Sequence, residues 1–197
     1  MNSKLSDEIP ALGVIQDVRV WKMPCHSDVR GRLFKAYTTS ETEIFPTPFE
    51  TFEHFFTESR KNVFRGMHFQ GEPHAVSKII SIVQGAALDF LLDIRKGSTT
   101  YGMLQIVELS GATPSSIFIP CGVAHGYLAL QEQTIISYRL DGPFCANCDG
   151  GFSGEIVSSY LPISISETIQ SQRDLELMSL SKFEYKSVCE SLRDIES

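Results

Sequence analysis

Short apolar segments, separated by turns that contain glycine or proline, recur along the chain from residue 14 to residue 139. The predicted strands cover residues 14–21, 32–38, 52–57, 63–70, 78–83, 86–94, 103–109, 115–119, 126–130 and 134–139. Many short strands at a spacing of about 8–12 residues are typical of antiparallel sandwiches and barrels, so the pattern predicts an all-β fold. Residues 25–31 are predicted to form a turn.

The pattern changes towards the C-terminus. From residue 171 onward, apolar residues recur at helical spacing among charged ones, namely Leu177, Leu180, Phe183, Val188, Leu192 and Ile195. This spacing predicts an amphipathic helical extension of one or two helices. We therefore expect a flexible N-terminus (1–9), one β-rich domain (10–170) and a C-terminal helical region (171–197).

Composition and charge narrow the function classes. With 197 residues and 22.0 kDa, the chain fits one domain with a sizeable core. Its net charge of −7 argues against general affinity for nucleic acid or an anionic membrane surface. No apolar run approaches the length of a membrane span, and the first residues do not resemble a signal peptide. We therefore expect a cytoplasmic protein.

Five cysteines in a chain without an export signal predict reduced thiols. Cys145 and Cys148 have the spacing of half a zinc site, but the sequence contains no second pair with that spacing. We interpret them as loop cysteines, with a structural zinc site as the alternative.

Residues 62–78 combine unusual polarity with a strand-like apolar pattern. Arg65, His68 and Gln70 interrupt the apolar strand, and His74 and Lys78 follow in the loop and at the start of the next strand. A buried polar group without a partner costs about 1–3 kcal/mol. We therefore predict that a ligand satisfies these side chains, the alternative being a solvated rim beside a surface turn.

A second stretch, residues 119–127, contains the pattern Pro-x-Gly-x-x-His, which ends at His125. This pattern is typical of the second half of the cupin signature, and the cupin jelly roll, a double-stranded β-helix, can hold a small ligand in its interior. A metal cupin also needs a His-x-His pair, but His68 is followed two residues later by Gln70. Without a metal, His68 suits acid–base chemistry, and Lys78 can stabilise an enolate oxygen.

Several spaced motifs resemble the dTDP-4-dehydrorhamnose 3,5-epimerase family. They are Arg-Gly-Met-His-Phe-Gln at 65–70, Lys78 ten residues after the histidine, the segment 85–98, Tyr-Gly at 101–102, the segment 119–127, and Tyr138 thirteen residues after His125. The resemblance spans residues 28–138 and includes a shorter match at 171–174. It implies a dimeric, cofactor-free jelly roll that acts on nucleotide-linked 4-keto-6-deoxy sugars in deoxysugar biosynthesis, for example for cell-surface polysaccharide.

The resemblance also implies catalytic roles. His68 would remove the proton next to the C4 ketone, and Asp174 would orient that histidine. Tyr138 would return a proton on the opposite face and so invert the centre. Lys78 would hold the enolate oxygen. Asp89 would contact the substrate-binding side chains without touching the substrate itself.

The same resemblance implies a set of substrate-binding residues. Arg65 and His125 would contact the sugar and the diphosphate, and Arg30 would lie near the nucleotide. Gln70 and Phe144 complete the predicted binding set. No metal and no other cofactor is expected, and the predicted assembly is a homodimer.

The sequence departs from the family pattern where the nucleotide is expected. The family usually has a glutamate where this chain has Lys35, and a Gln-x-Asn-x-Ser run where this chain has Glu-His-Phe-Phe-Thr at 53–57. The aromatic pair that the family has after the position of Tyr138 is replaced here by Pro143-Phe144. The sequence therefore does not determine whether the nucleotide is dTDP, CDP or GDP, or whether one centre or two centres are inverted. A 3,4-ketoisomerase of the same fold would carry a histidine at position 70, where this chain has Gln70. The alternative from another class is a sugar-nucleotide-binding module or a metal-dependent cupin without epimerase activity.

Overall fold

Two five-stranded antiparallel sheets and a separate hairpin form the part of the protein that the computed structural model describes, residues 10–37 and 45–182. The strands are β1 (Arg19–Lys22), β2 (Cys25–Asp28), β3 (Gly31–Phe34), β4 (Glu53–Ser59), β5 (Phe64–Gln70), β6 (Lys78–Gln84), β7 (Ala86–Asp93), β8 (Leu104–Ser110), β9 (Ser115–Ile119), β10 (Val123–Ala129), β11 (Thr134–Leu140) and β12 (Asp149–Gly151). One sheet has the order β1-β9-β6-β11-β4, and the other has the order β12-β5-β10-β7-β8. The predicted all-β jelly roll is confirmed.

The alternation of side chains along each strand explains how the two sheets pack. In β6, Ile80 and Ile82 face the core between the sheets, whereas Ile79 faces an aromatic cluster on the outside. In β7, Leu91 faces the inner core, and Phe90 belongs to a second core on the opposite side of its sheet. Successive strand residues point to opposite faces, so apolar residues at both alternating positions indicate strands that are covered on both sides.

Most predicted strands agree with the structure to within about two residues. The strand predicted at 126–130 begins earlier, at Val123, so His125 lies inside it. The turn predicted at 25–31 is confirmed only at Val29 and Arg30, because the residues on either side of them form the hairpin strands β2 and β3. Both hairpin strands are largely exposed, so they lack the apolar alternation that identifies a strand in a sequence.

The C-terminal segment is only partly described. It contains one helical turn, α1 (Gln172–Leu175), and a 3-10 turn at Leu180–Lys182, with residues 176–179 outside both. The remainder of the predicted helical region, 183–197, and the predicted N-terminal segment, 1–9, lie outside the described residues. In the described ranges, no helix has both the length and the apolar character needed to cross a bilayer.

Candidate active site

A cavity of about 270 Å³ opens between the two sheets, and the short helix α1 forms one side of it. We call it the active-site cavity. It is lined by Phe55, Thr57, Arg65, His68, Lys78, His125, Tyr138, Leu140, Ser171, Arg173 and Asp174. Strands β5 and β10 of one sheet face strands β4, β6 and β11 of the other across it.

An irregularity in β5 brings two polar side chains to the same cavity. Arg65 and His68 are three residues apart, and in a regular strand they would point to opposite faces. The pairing of β5 with β10 shifts register between them, with His125 opposite His68 but Tyr127 opposite Arg65. Gly66 lies in this bulge with a φ of +129°, a conformation that favours glycine. Both side chains therefore line the active-site cavity.

His68 is paired with the carboxylate of Asp174, 106 residues further along the chain, with 2.6 Å between His68 Nε2 and Asp174 Oδ1. Burial would raise the pKa of Asp174, but hydrogen bonds from His68, Ser171 and Gly66, together with the charge of His68, hold it below its ordinary value. The carboxylate is therefore ionised and accepts the Nε2–H of His68. This leaves Nδ1 as the nitrogen that can take up a proton.

A second buried pair lies beside the first. His125 Nε2 is 2.8 Å from Asp89 Oδ2, and both side chains are almost fully buried. Burial raises the pKa of Asp89, whereas the charges of His125 and Lys78 oppose that rise. The other carboxylate oxygen, Oδ1, is buried without a hydrogen-bond partner among the described residues.

Lys78 supplies a cation at the start of β6. Desolvation lowers its pKa from 10.5 to about 8, although the charges of Asp149 and Asp89 act in the opposite direction. Lys78 is thus still mostly protonated at neutral pH. A cation that has lost part of its water shell interacts strongly with a developing negative charge, because little solvent screens it.

Tyr138 lies on β11, in the sheet opposite the one that carries His68. Its ring stacks on Phe55, with the ring centres 5.1 Å apart and the planes 4° from parallel. Burial raises the pKa of the Tyr138 hydroxyl well above its ordinary value. The phenol therefore stays protonated and can act as a proton donor from the wall that faces His68.

Five residues that line the cavity were not among the predicted site residues, namely Phe55, Thr57, Leu140, Ser171 and Arg173. Arg173 precedes Asp174 in α1 and forms an ion pair with Asp149 at the start of β12. Its position next to a predicted catalytic carboxylate was the one available signal. Strand β12 was not predicted, since its three residues, Asp-Gly-Gly, have no apolar pattern.

Three predicted binding residues do not line the active-site cavity. Gln70 is buried, its Nε2 donates to the carbonyl groups of His74 and Pro143, and its Oε1 accepts from the N–H of Cys145 at 2.9 Å. Its amide therefore supports loops. Phe144 is 61% exposed.

Arg30, the third of these residues, lies at the turn of the β2–β3 hairpin, where its side chain is 86% exposed and paired with Asp28 at 2.6 Å. The hairpin borders a different depression, so Arg30 and His68 line different cavities in the described part of the chain. For the metal alternative, we find no group of three or more His, Cys, Asp or Glu side chains within 10–37 and 45–182 that could hold an ion.

Comparison with known proteins identifies the family. The family model for dTDP-4-dehydrorhamnose 3,5-epimerase matches residues 13–182. The dTDP-4-dehydrorhamnose 3,5-epimerase of Escherichia coli (strain K12) is 30% identical over 85% of this chain and 92% of its own length. The crystal structure of the enzyme of that name from Sulfolobus tokodaii matches with a TM-score of 0.77 and 30% identity, over 87% of this chain and 95% of that chain.

A further relative was solved with ligands. The dTDP-4-dehydrorhamnose 3,5-epimerase from Bacillus anthracis, crystallised with TDP and PPi bound, matches with a TM-score of 0.75 and 28% identity, over 83% of this chain and 94% of that chain. The matched region includes every residue of the active-site cavity. As the sequence motifs predicted, the chain belongs to the dTDP-4-dehydrorhamnose 3,5-epimerase family and is an isomerase.

Proposed function

We propose that the protein is a cofactor-independent epimerase that inverts C3, C5 or both centres of a nucleotide-linked 4-keto-6-deoxy sugar through an enolate. One observation carries the proposal. A carboxylate-paired imidazole (His68–Asp174) and a protonated phenol (Tyr138) lie on facing sheets of one cavity, with the ammonium of Lys78 in the same cavity. Inversion of a carbon centre needs a base on one face and an acid on the other.

The proton next to the C4 ketone is removed by His68. The ionised carboxylate of Asp174 fixes the imidazole tautomer through Nε2 and stabilises the imidazolium that forms. The negative charge then develops on the ketone oxygen, where Lys78 stabilises it. Tyr138 donates a proton to the opposite face of the carbon, which completes the inversion.

The nucleotide diphosphate is bound by the arginines at the cavity. Arg65 and Arg173 both line it, and arginine recognises phosphate oxygens through paired hydrogen bonds. The Bacillus anthracis relative, with TDP and PPi bound, supports a thymidine nucleotide as the first substrate to test. CDP- and GDP-linked sugars are the alternatives, because the sequence departs from the family pattern at 53–57.

Arg30 reaches the nucleotide from a second copy of the chain in a homodimer. Its hairpin belongs to neither of the two large sheets and exposes Val29 and Leu33. An exposed hairpin that carries apolar side chains and a cation is suited to insertion against a partner subunit.

A mixture of Arg30→Ala and His68→Asn chains, dissociated and reassembled together, should regain activity. In such a mixed dimer, one site has both residues intact. Failure of two stable dimeric variants to complement each other would contradict this arrangement.

Deuterium incorporation tests the reaction. The protein is incubated with dTDP-4-keto-6-deoxyglucose in heavy water, and the sugar protons are followed by NMR. We expect deuterium to enter at C3, at C5 or at both. The number of labelled carbons also shows whether the protein acts on one centre or two. His68→Asn should slow the exchange by at least about 10²-fold, whereas the control His74→Asn, on the exposed loop after β5, should not. Binding without exchange for the dTDP-, CDP- and GDP-linked substrates would favour the non-catalytic binding module.

A further inference from the structure

Cys145 and Cys148 form a preorganised pair of thiols that the proposed reaction does not use. Their Sγ atoms are 2.7 Å apart. The N–H groups of Cys148 and Asp149 both donate to the carbonyl of Cys145, at 3.0 and 2.9 Å, and so close a tight turn around the pair. Both side chains are partly exposed, so a small reagent can reach them.

The turn is attached to the strand that carries His68. The N–H of Cys145 donates to Gln70 Oε1 at 2.9 Å, and the N–H of Gly71 donates to the carbonyl of Cys148 at 2.8 Å. Strand β12 follows directly and pairs with β5, with Gly151 opposite His68. The backbone therefore holds both cysteines in place independently of any bond between the sulfurs.

The distance between the sulfurs disfavours metal binding. In a tetrahedral zinc site with Zn–S bonds of about 2.3 Å, two thiolates lie about 3.8 Å apart. The Sγ atoms of Cys145 and Cys148 are closer than that. Two further ligands would also be needed, and the described residues offer no group of three or more metal-binding side chains. A covalent bond between the two sulfurs fits the geometry better than a shared ion.

We propose that Cys145 and Cys148 are a modification site that forms a reversible intramolecular disulfide on exposure to a low-molecular-weight disulfide. The proposal does not depend on the proposed epimerase function. Because Gln70, Gly71 and β12 already fix the turn in which the two sulfurs are in contact, the bond needs no rearrangement of the backbone around His68.

The reaction is a two-step thiol–disulfide exchange. The Cys145 thiolate attacks one sulfur of the reagent disulfide, forming a mixed disulfide and releasing one reagent thiolate. Cys148 then loses its proton to solvent and attacks Cys145 Sγ, releasing the second reagent thiolate. The protein loses two electrons and two protons, and the reagent gains them as two thiols. Hydrogen bonds from the Cys148 thiol and from the N–H groups of Cys148 and Asn147 lower the pKa of Cys145, which supports it as the first nucleophile.

Peptide mapping of the full chain tests the proposal. The protein is equilibrated in glutathione redox buffers, alkylated, digested with trypsin and analysed by mass spectrometry. Trypsin places both cysteines on the peptide 140–173, and each of the other three cysteines falls on a separate peptide. In the oxidising buffers we expect this peptide to become two hydrogens lighter, without alkylation, and to return to the dialkylated form after reduction. Amide exchange at Gly71 and Asp149 should also slow in the oxidised protein.

Variants separate the pair from the other thiols. In Cys145→Ser, the single remaining thiol of the peptide should carry glutathione in place of an internal bond, whereas Cys25→Ser should behave as the parent. The proposal is overturned if the parent peptide stays fully alkylated in the oxidising buffers. It is also overturned if the peptide carries glutathione on both cysteines or pairs with another peptide. The parent protein alone decides between these outcomes, so a variant that folds poorly does not affect the test.

Discussion

Replacement of Lys78 by methionine should make the protein more stable and almost inactive. Lys78 lies at the start of β6 and lines the active-site cavity. Methionine has nearly the length of lysine and no charge, so it fills the same space without the cost of desolvating an ammonium group. In the proposed mechanism, the cation is needed to stabilise the enolate, so its removal should abolish most of the activity.

The pKa of Lys78 gives the magnitude. Desolvation lowers it from 10.5 to about 8, against the opposing charges of Asp149 and Asp89. At about 1.36 kcal/mol per pH unit, this difference corresponds to about 3 kcal/mol of folding free energy. This value already includes the favourable interaction of the cation with the two carboxylates, so it is the upper limit of the gain. We therefore expect the free energy of unfolding of Lys78→Met at pH 7 to exceed that of the wild type by about 1–3 kcal/mol.

The sign of the pH dependence follows from the same values. Between pH 8 and 10.5 the unfolded chain keeps the proton on Lys78 and the folded protein loses it, so the wild-type stability rises with pH in this window. Lys78→Met lacks this contribution. The difference between the two proteins should thus be largest below about pH 8 and disappear above about pH 10.5. In the same window the wild-type rate should fall, because the neutral amine stabilises an enolate poorly.

Urea unfolding at several pH values, followed by circular dichroism, measures the stability, and the deuterium-exchange assay measures the activity. Lys61→Met is the matched control, because Lys61 is exposed just before β5 and its replacement should change neither quantity greatly. A Lys78→Met protein that is less stable than the wild type at pH 7 would refute the desolvation argument. If Lys78→Met keeps its turnover and loses only substrate affinity, Lys78 binds the phosphate and does not stabilise the enolate.

Two further substitutions test the groups that are proposed to act on opposite faces of the sugar. Asp174→Asn should lower kcat by about 10–10²-fold with little change in KM, since a charge-assisted hydrogen bond contributes about 1.5–3 kcal/mol. Steady-state kinetics measures this, and a change in KM alone would remove Asp174 from the orientation of His68. Tyr138→Phe should bind substrate normally, because the stacking on Phe55 is retained, but should exchange deuterium without completing the inversion. Calorimetry and NMR analysis of the product check this, and unchanged turnover would exclude Tyr138 as the acid.

The residue types of the site could be predicted from the sequence, but several of their contacts could not. His68, Lys78, His125 and Tyr138 were identified through spaced motifs that resemble those of the family, and all four line one cavity. Gln70 was predicted to contact substrate, yet its amide holds two loops together. A sequence motif identifies a side chain but does not determine which neighbour competes for its hydrogen bonds.

By itself, the sequence determined the strand series and the chemistry that these strands carry, because the apolar pattern and the spacing of motifs are local properties of the chain. The tertiary structure decided which distant groups meet. The bulge at Gly66 turns Arg65 and His68 into the same cavity, against the period-two rule for a regular strand. Asp174 reaches His68 only because α1 packs against β5. Such contacts depend on register and packing between segments far apart in the chain, and local sequence patterns carry little information about either.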